Sequence, residues 1–297
     1  MKEKINSEVF FMAKVTVLPH NPELNGLLDL KVNIVYAAPD GEELALQLVK
    51  PQWKSDGNGF PLVVFIQGSA WTKPNQFWEI PQLCRLAQRG FVIASVTHRS
   101  CYNACAPAFL QDVKSAIRFL RAHAAEYDID KNRVCAWGTS SGGNTALLLG
   151  LTADDPRFET DDWAGESTRV QAVVDCFGPT DLNRMAKVQY RDKPEEEKGL
   201  FYALSGSRDP AVWEKKMEVI SPIAYAQPGK DYPPFLLLHG DADPVVLFED
   251  TETFFHRMDE NGYDMELVRV TDAPHEHSFW SEPLLELIFD FIVRKIG

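Results

Sequence analysis

Short apolar runs alternate along this chain with longer stretches in which apolar residues recur every three or four positions. Leu62-Val63-Val64-Phe65-Ile66 is an unbroken apolar run, the pattern of a strand covered on both faces. Phe91–Val96, Val134–Trp137, Val170–Cys176, Phe235–Leu238 and Leu267–Val270 are similar. Within Ala108–Tyr127, the residues Phe109, Val113, Ile117, Leu120 and Ala124 keep helical spacing. Phe248–Asn261 and Leu284–Ile296 predict further helices. Val32–Tyr36 and Leu44–Val49 flank the turn signal Pro39-Asp40-Gly41 and predict a hairpin. This alternation predicts an α/β fold with a mostly parallel central sheet and helices on both faces. Ligands in such sheets bind at the carboxyl ends of the strands.

One stretch breaks the rhythm. Asp181 to about Asp231 is polar and carries Glu195-Glu196-Glu197-Lys198, with prolines at 194, 210, 222 and 228. It predicts a small cap or lid insertion, residues 182–231, inside a single domain spanning 1–297. The plainer alternative is a long surface excursion with no role in binding.

Composition narrows the function. The 297 residues are 45% hydrophobic and 25% charged, as in a soluble globular protein. A net charge of −13 argues against nucleic acid, anionic membranes and polyanionic substrates as partners. The charged start Met1-Lys2-Glu3-Lys4-Ile5-Asn6 leads into no long apolar run, so neither a signal peptide nor a membrane span is expected. The expected location is cytoplasmic. Five cysteines, at 84, 101, 105, 135 and 176, show no metal-finger rhythm and are expected to be reduced thiols. A clip between Cys101 and Cys105 is the alternative. A homodimer is plausible on base rates alone.

Candidate chemistry centres on Gly138-Thr139-Ser140-Ser141-Gly142, which reads G-x-S-x-G. A buried run precedes it and a helix-like run, Gly143–Leu149, follows it. A serine on such a strand-to-helix turn projects its hydroxyl above the sheet edge. The hydroxyl needs a base, and the base needs an orienting carboxylate. On this kind of sheet they follow in the order Ser, Asp or Glu, His. Phe235–Leu238 runs into His239-Gly240-Asp241-Ala242-Asp243, which supplies the acid. Asp243 is preferred. Asp241 is the alternative, and is as well suited to capping backbone N–H groups. His275 and His277 directly follow the run ending at Val270, and His275 is preferred as the base. His277 is then an adjacent or substrate-facing residue. His256 falls on the polar side of a helix.

A tetrahedral oxyanion needs preorganised donors. The N–H of Ser141 is one. The other is expected from the loop Gln67-Gly68-Ser69-Ala70-Trp71, with Ser69 first and Ala70 second. No H-x-H, H-E-x-x-H or G-x-G-x-x-G arrangement is present, and no metal or organic cofactor is expected.

Together these segments resemble the α/β-hydrolase superfamily over roughly residues 30–297. The nearer likeness is to serine carboxylesterases of the acetyl-esterase and lipase type, including bacterial carbohydrate acetyl and feruloyl esterases. Further matching pieces are Val96-Thr97-His98-Arg99, Leu110–Arg121, Asp175–Asp181 and Ser221-Pro222-Ile223. The resemblance implies an α/β-hydrolase fold and an acyl-enzyme on Ser140, with a short-acyl ester as substrate. Acetyl groups on plant-polysaccharide sugars are one such class. Trp71 and Trp280 are expected to bind substrate, with Trp78 and Phe279 as further candidates. Two departures stand out. Gln67, Ser69 and Ala70 replace the His and two Gly of the usual His-Gly-Gly-Gly. His98-Arg99 replaces the usual Tyr-Arg, making His98 either a pocket residue or, more simply, a packed structural one. The rival readings are a prolyl oligopeptidase-like amidase and a non-catalytic ligand-binding protein on the same fold. The roughly sixty residues before Pro61 leave no room for the propeller such peptidases carry.

Overall fold

The computed structural model describes residues 14–153, 155–190 and 192–297. The segment Met1–Asn6 lies outside the described residues. The chain opens with the hairpin β1 (Leu28–Ala37) and β2 (Leu44–Pro51), paired antiparallel. Then come β3 (Phe60–Ile66), α1 (Ile80–Ala87), β4 (Val92–Val96), α2 (Ala108–Ala122) and α3 (Ala124–Tyr127). β5 (Ile129–Thr139), α4 (Ser141–Leu151) and β6 (Ala172–Cys176) form the centre. The segment that breaks the rhythm holds α5 (Leu182–Met185), α6 (Gly199–Ser205) and α7 (Pro210–Val219). The chain closes with β7 (Phe235–Gly240), α8 (Phe248–Glu260), β8 (Met265–Val270) and α9 (Glu282–Ile296).

Among the described residues, eight strands form one sheet in the order β1-β2-β4-β3-β5-β6-β7-β8. β2 meets β4 antiparallel, and from β4 to β8 every neighbouring pair is parallel. This is the mostly parallel sheet of the α/β-hydrolase fold that the sequence predicts. The predicted helix over 108–127 is broken at His123, which has a φ of −103°.

Strand alternation divides the core in two. Leu62, Val64 and Ile66 of β3 face one side, with α2, α4 and α8. Val63 and Phe65 face the other, with α1 and α9. Both faces are fully covered, which is why β3 has no polar position.

The 182–231 segment packs Leu182, Phe201, Leu204, Met217 and Ile220 into the first of these cores. Asn144 of α4 ties it down by donating from its amide to the carbonyls of Pro179 and Ile220, both at 2.9 Å. The five cysteines are free thiols, Cys101 buried and Cys105 exposed. Among the described residues no helix is long and apolar enough to cross a membrane.

Candidate active site

The parallel strands bring four loops to one edge. Ser69 follows β3, Ser140 follows β5, Asp243 follows β7 and His275 follows β8. At Ser140 the chain reverses from strand to helix with φ 51° and ψ −123°, a conformation a non-glycine residue occupies only at a cost. The reversal presses backbone against backbone. A Cβ on Gly138 would stand 2.0 Å from the carbonyl oxygen of Gly142, and one on Gly142 would stand 2.0 Å from that of Ile66. Both positions therefore require glycine.

The hydroxyl of Ser140 lies 3.0 Å from Nε2 of His275. Nδ1 of His275 donates to Oδ2 of Asp243 at 2.6 Å. The other Asp243 oxygen accepts from the N–H groups of Val245, at 2.7 Å, and Val246, at 2.9 Å. Burial alone would raise the Asp243 pKa. The bonds from His239, His275 and the Val246 N–H outweigh it and hold the carboxyl well below the usual carboxylate range. Asp243 therefore stays ionised, able to orient His275 and to stabilise positive charge on its ring. Asp241 does something else: it accepts from Arg269 at 2.7 Å and from the N–H of Asp272 at 2.6 Å.

Two residues of the site had no role assigned in the sequence. His239, fully buried at the end of β7, donates from Nε2 to Oδ2 of Asp243 at 3.2 Å and to the carbonyl of Val246 at 2.9 Å. Its four-residue spacing from Asp243 was the available signal. Phe177 follows β6 and sets its ring edge-on to His275, 4.7 Å between centroids, limiting where the imidazole can swing.

Of the expected oxyanion donors, one is already engaged. The N–H of Ser69, the first choice, donates to the hydroxyl of Ser141 at 2.9 Å. Among the described residues the N–H groups of Ala70 and Ser141 have no acceptor. Ala70, the second choice, has a φ of 50° and leaves its N–H free.

A cleft of about 590 Å³ opens over Ser140 and His275. Gln67, Ser69, Ala70, Trp78, Glu79 and Gln82 line it from one side, and Glu276, His277 and Trp280 from the other. Phe65, Leu83, Trp137 and Leu285 also line it. Trp280 and Trp78 thus line the cleft. Trp71 does not. It has a positive φ of 55°, is 2% exposed, and packs with its ring centroid 6.2 Å from that of Phe109. Phe279 is also in the core. His98 is buried against Phe109, with Nδ1 2.8 Å from the Arg99 carbonyl, and burial lowers its pKa to about 4. It is a packed residue, not part of the cleft. His256 is exposed on α8. Among the described residues, none of those lining the cleft comes from 182–231. A larger polar cavity, about 760 Å³, is lined by Arg157, Glu218 and Tyr225 among others and touches none of the triad; chemistry, not size, marks the site.

The BD-FAE family profile matches residues 46–258. Esterase LipC of Mycobacterium tuberculosis is 30% identical over 67% of this chain and 48% of its own length. Esterase LipQ of the same organism is 26% identical over 93% of this chain and 65% of its own. The chain thus spans about half to two thirds of the length of these curated relatives. A solved truncated form of a carbohydrate esterase from gut microbiota superposes with a TM-score of 0.77. It is 27% identical, over 93% of this chain and 98% of that one. Esterase 2 of Thermogutta terrifontis with butyrate bound gives 0.73 at 26% identity, over 92% and 95%. The chain belongs to the BD-FAE family, and it carries the α/β-hydrolase fold of the esterases it resembles.

Proposed function

We propose that this protein is a serine carboxylesterase that cleaves short-acyl esters through an acyl-enzyme on Ser140. The observation that carries the reading is the chain of contacts from Ser140 to His275, 3.0 Å, and from His275 to Asp243, 2.6 Å, on the floor of a cleft. His275 takes the proton as the Ser140 oxygen attacks the ester carbonyl. The carbonyl oxygen becomes an oxyanion and accepts from the N–H groups of Ala70 and Ser141. His275 returns the proton to the departing alkoxide. Water then repeats the cycle on the acyl-enzyme and releases the acid.

Two findings speak for a short acyl group. Thermogutta terrifontis esterase 2 has been solved with butyrate and with propionate bound. The cleft volume of about 590 Å³ also has to hold the alcohol part. Acetyl groups on plant-polysaccharide sugars are the natural class we favour, because similar solved chains include a carbohydrate esterase and a bifunctional GH43-CE protein of Bacteroides eggerthii. The test is turnover of p-nitrophenyl esters from acetate to octanoate beside acetylated xylo-oligosaccharides. Rates falling with acyl length, together with sugar deacetylation, support the reading. Turnover of amides but not esters would replace it with the amidase.

A further inference from the structure

The cleft holds a carboxyl group that the triad does not use. Glu79 sits at the N-cap position of α1, where an acid ordinarily accepts from the N–H groups of the first helical turn. Here its side chain makes no such bond. Among the described residues its Oε2 is buried without a hydrogen-bond partner. A buried polar oxygen left unpaired is costly, and such groups recur where a ligand completes the bonding.

Its neighbours point to the ligand. Gln82 lies three residues on, so it shares a helix face with Glu79. It is exposed and lines the same cleft, so its side-chain amide is open to whatever enters. Trp78, 69% exposed, and Trp280 add flat aromatic surface. Among the described residues Glu276 is the other carboxylate lining the cleft, and no lysine or arginine lines it. An anionic group would meet like charge there. A neutral ring bearing hydroxyls would meet a carboxyl, an amide and two indoles. Burial and the nearby Glu276 push Glu79 up to about 8, so at neutral pH the carboxyl can donate as well as accept.

We propose that Glu79 and Gln82 determine specificity by hydrogen-bonding hydroxyls on a neutral, sugar-like part of the ester substrate, beside Trp78 and Trp280. This rests on the ester-hydrolase reading and names the part of the substrate that the site selects.

The test is the ratio of kcat/KM for an O-acetylated methyl xyloside to that for p-nitrophenyl acetate. It is measured within each preparation of wild type, Glu79→Leu, Glu79→Gln and Gln82→Leu, so that any misfolded fraction cancels. We expect Glu79→Leu to lower the ratio at least about tenfold, since sites built to bond a hydroxyl lose heavily without it. Glu79→Gln should retain most of it, and Gln82→Leu should fall between. A ratio unchanged in Glu79→Leu overturns the proposal. So does a wild type that cleaves p-nitrophenyl acetate but not the sugar ester, and that result leaves the ester-hydrolase reading standing. A wild type inert on both overturns that reading as well.

Discussion

His239 donates to Oδ2 of Asp243 at 3.2 Å, the same oxygen that receives the 2.6 Å bond from His275. The Asp243 side chain is fully buried and accepts from two imidazoles and two backbone N–H groups. Its negative charge is fixed before any substrate arrives.

Replacing His239 should therefore slow the chemistry without changing binding. A hydrogen bond to a charged group is worth about 1.5–3 kcal/mol, and about 1.4 kcal/mol is a factor of ten in rate. His239→Gln is expected to lower kcat on p-nitrophenyl acetate roughly 10–100-fold with KM nearly unchanged. Steady-state kinetics check this. An unaltered kcat would mean that the remaining bonds hold Asp243 unaided.

The hydroxyl of Ser141 accepts the N–H of Ser69 at 2.9 Å, leaving it unavailable to the oxyanion of the proposed mechanism. Ser141→Ala frees that donor. We expect kcat to be retained or to rise by up to about tenfold, as one added donor in an oxyanion hole allows. A fall of tenfold or more would show that the Ser141 hydroxyl itself contacts the oxyanion.

His98 predicts acid sensitivity. Burial lowers its pKa from 6.5 to about 4 in the folded chain. Between those values the unfolded chain binds a proton that the native state refuses. Stability is full above about pH 6.5 and declines as pH falls through about 4, by on the order of 3 kcal/mol. His98→Gln should remove this component, so its melting temperature should fall less than the wild type's between pH 7 and pH 4. Equal falls would contradict the assignment.

Much of the site was legible because its parts are local. Ser140 stands in a five-residue motif whose Gly138 is required by a clash inside the motif itself, and Asp243 and His275 each follow an apolar strand in chain order. The failures share a different cause. Trp71 sits next to a cleft-lining loop in sequence, but its side chain packs in the core against Phe109 of α2. The choice between Ser69 and Ala70 hangs on a bond to Ser141, 72 residues away in the chain. Glu79 stands at the N-cap of a short helix, α1, that was not among the predicted elements, and a lone acid gives no sign of an unpaired oxygen. The 182–231 segment was recognisable as an excursion from its prolines and charges. Which surface it covers depends on Phe201, Leu204 and Met217 finding the core, and no local pattern encodes that.

The central claim is that Ser140 is the nucleophile. Intact-mass spectrometry after treatment with a fluorophosphonate, followed by peptide mapping, tests it most directly. Forms of the Thermogutta terrifontis esterase phosphonylated by sarin make the reagent class apt. We predict one adduct per chain, mapped to Ser140, absent in Ser140→Ala and slowed at least about a thousandfold in His275→Ala. An unlabelled wild-type chain, or an adduct that persists in Ser140→Ala, would contradict the account.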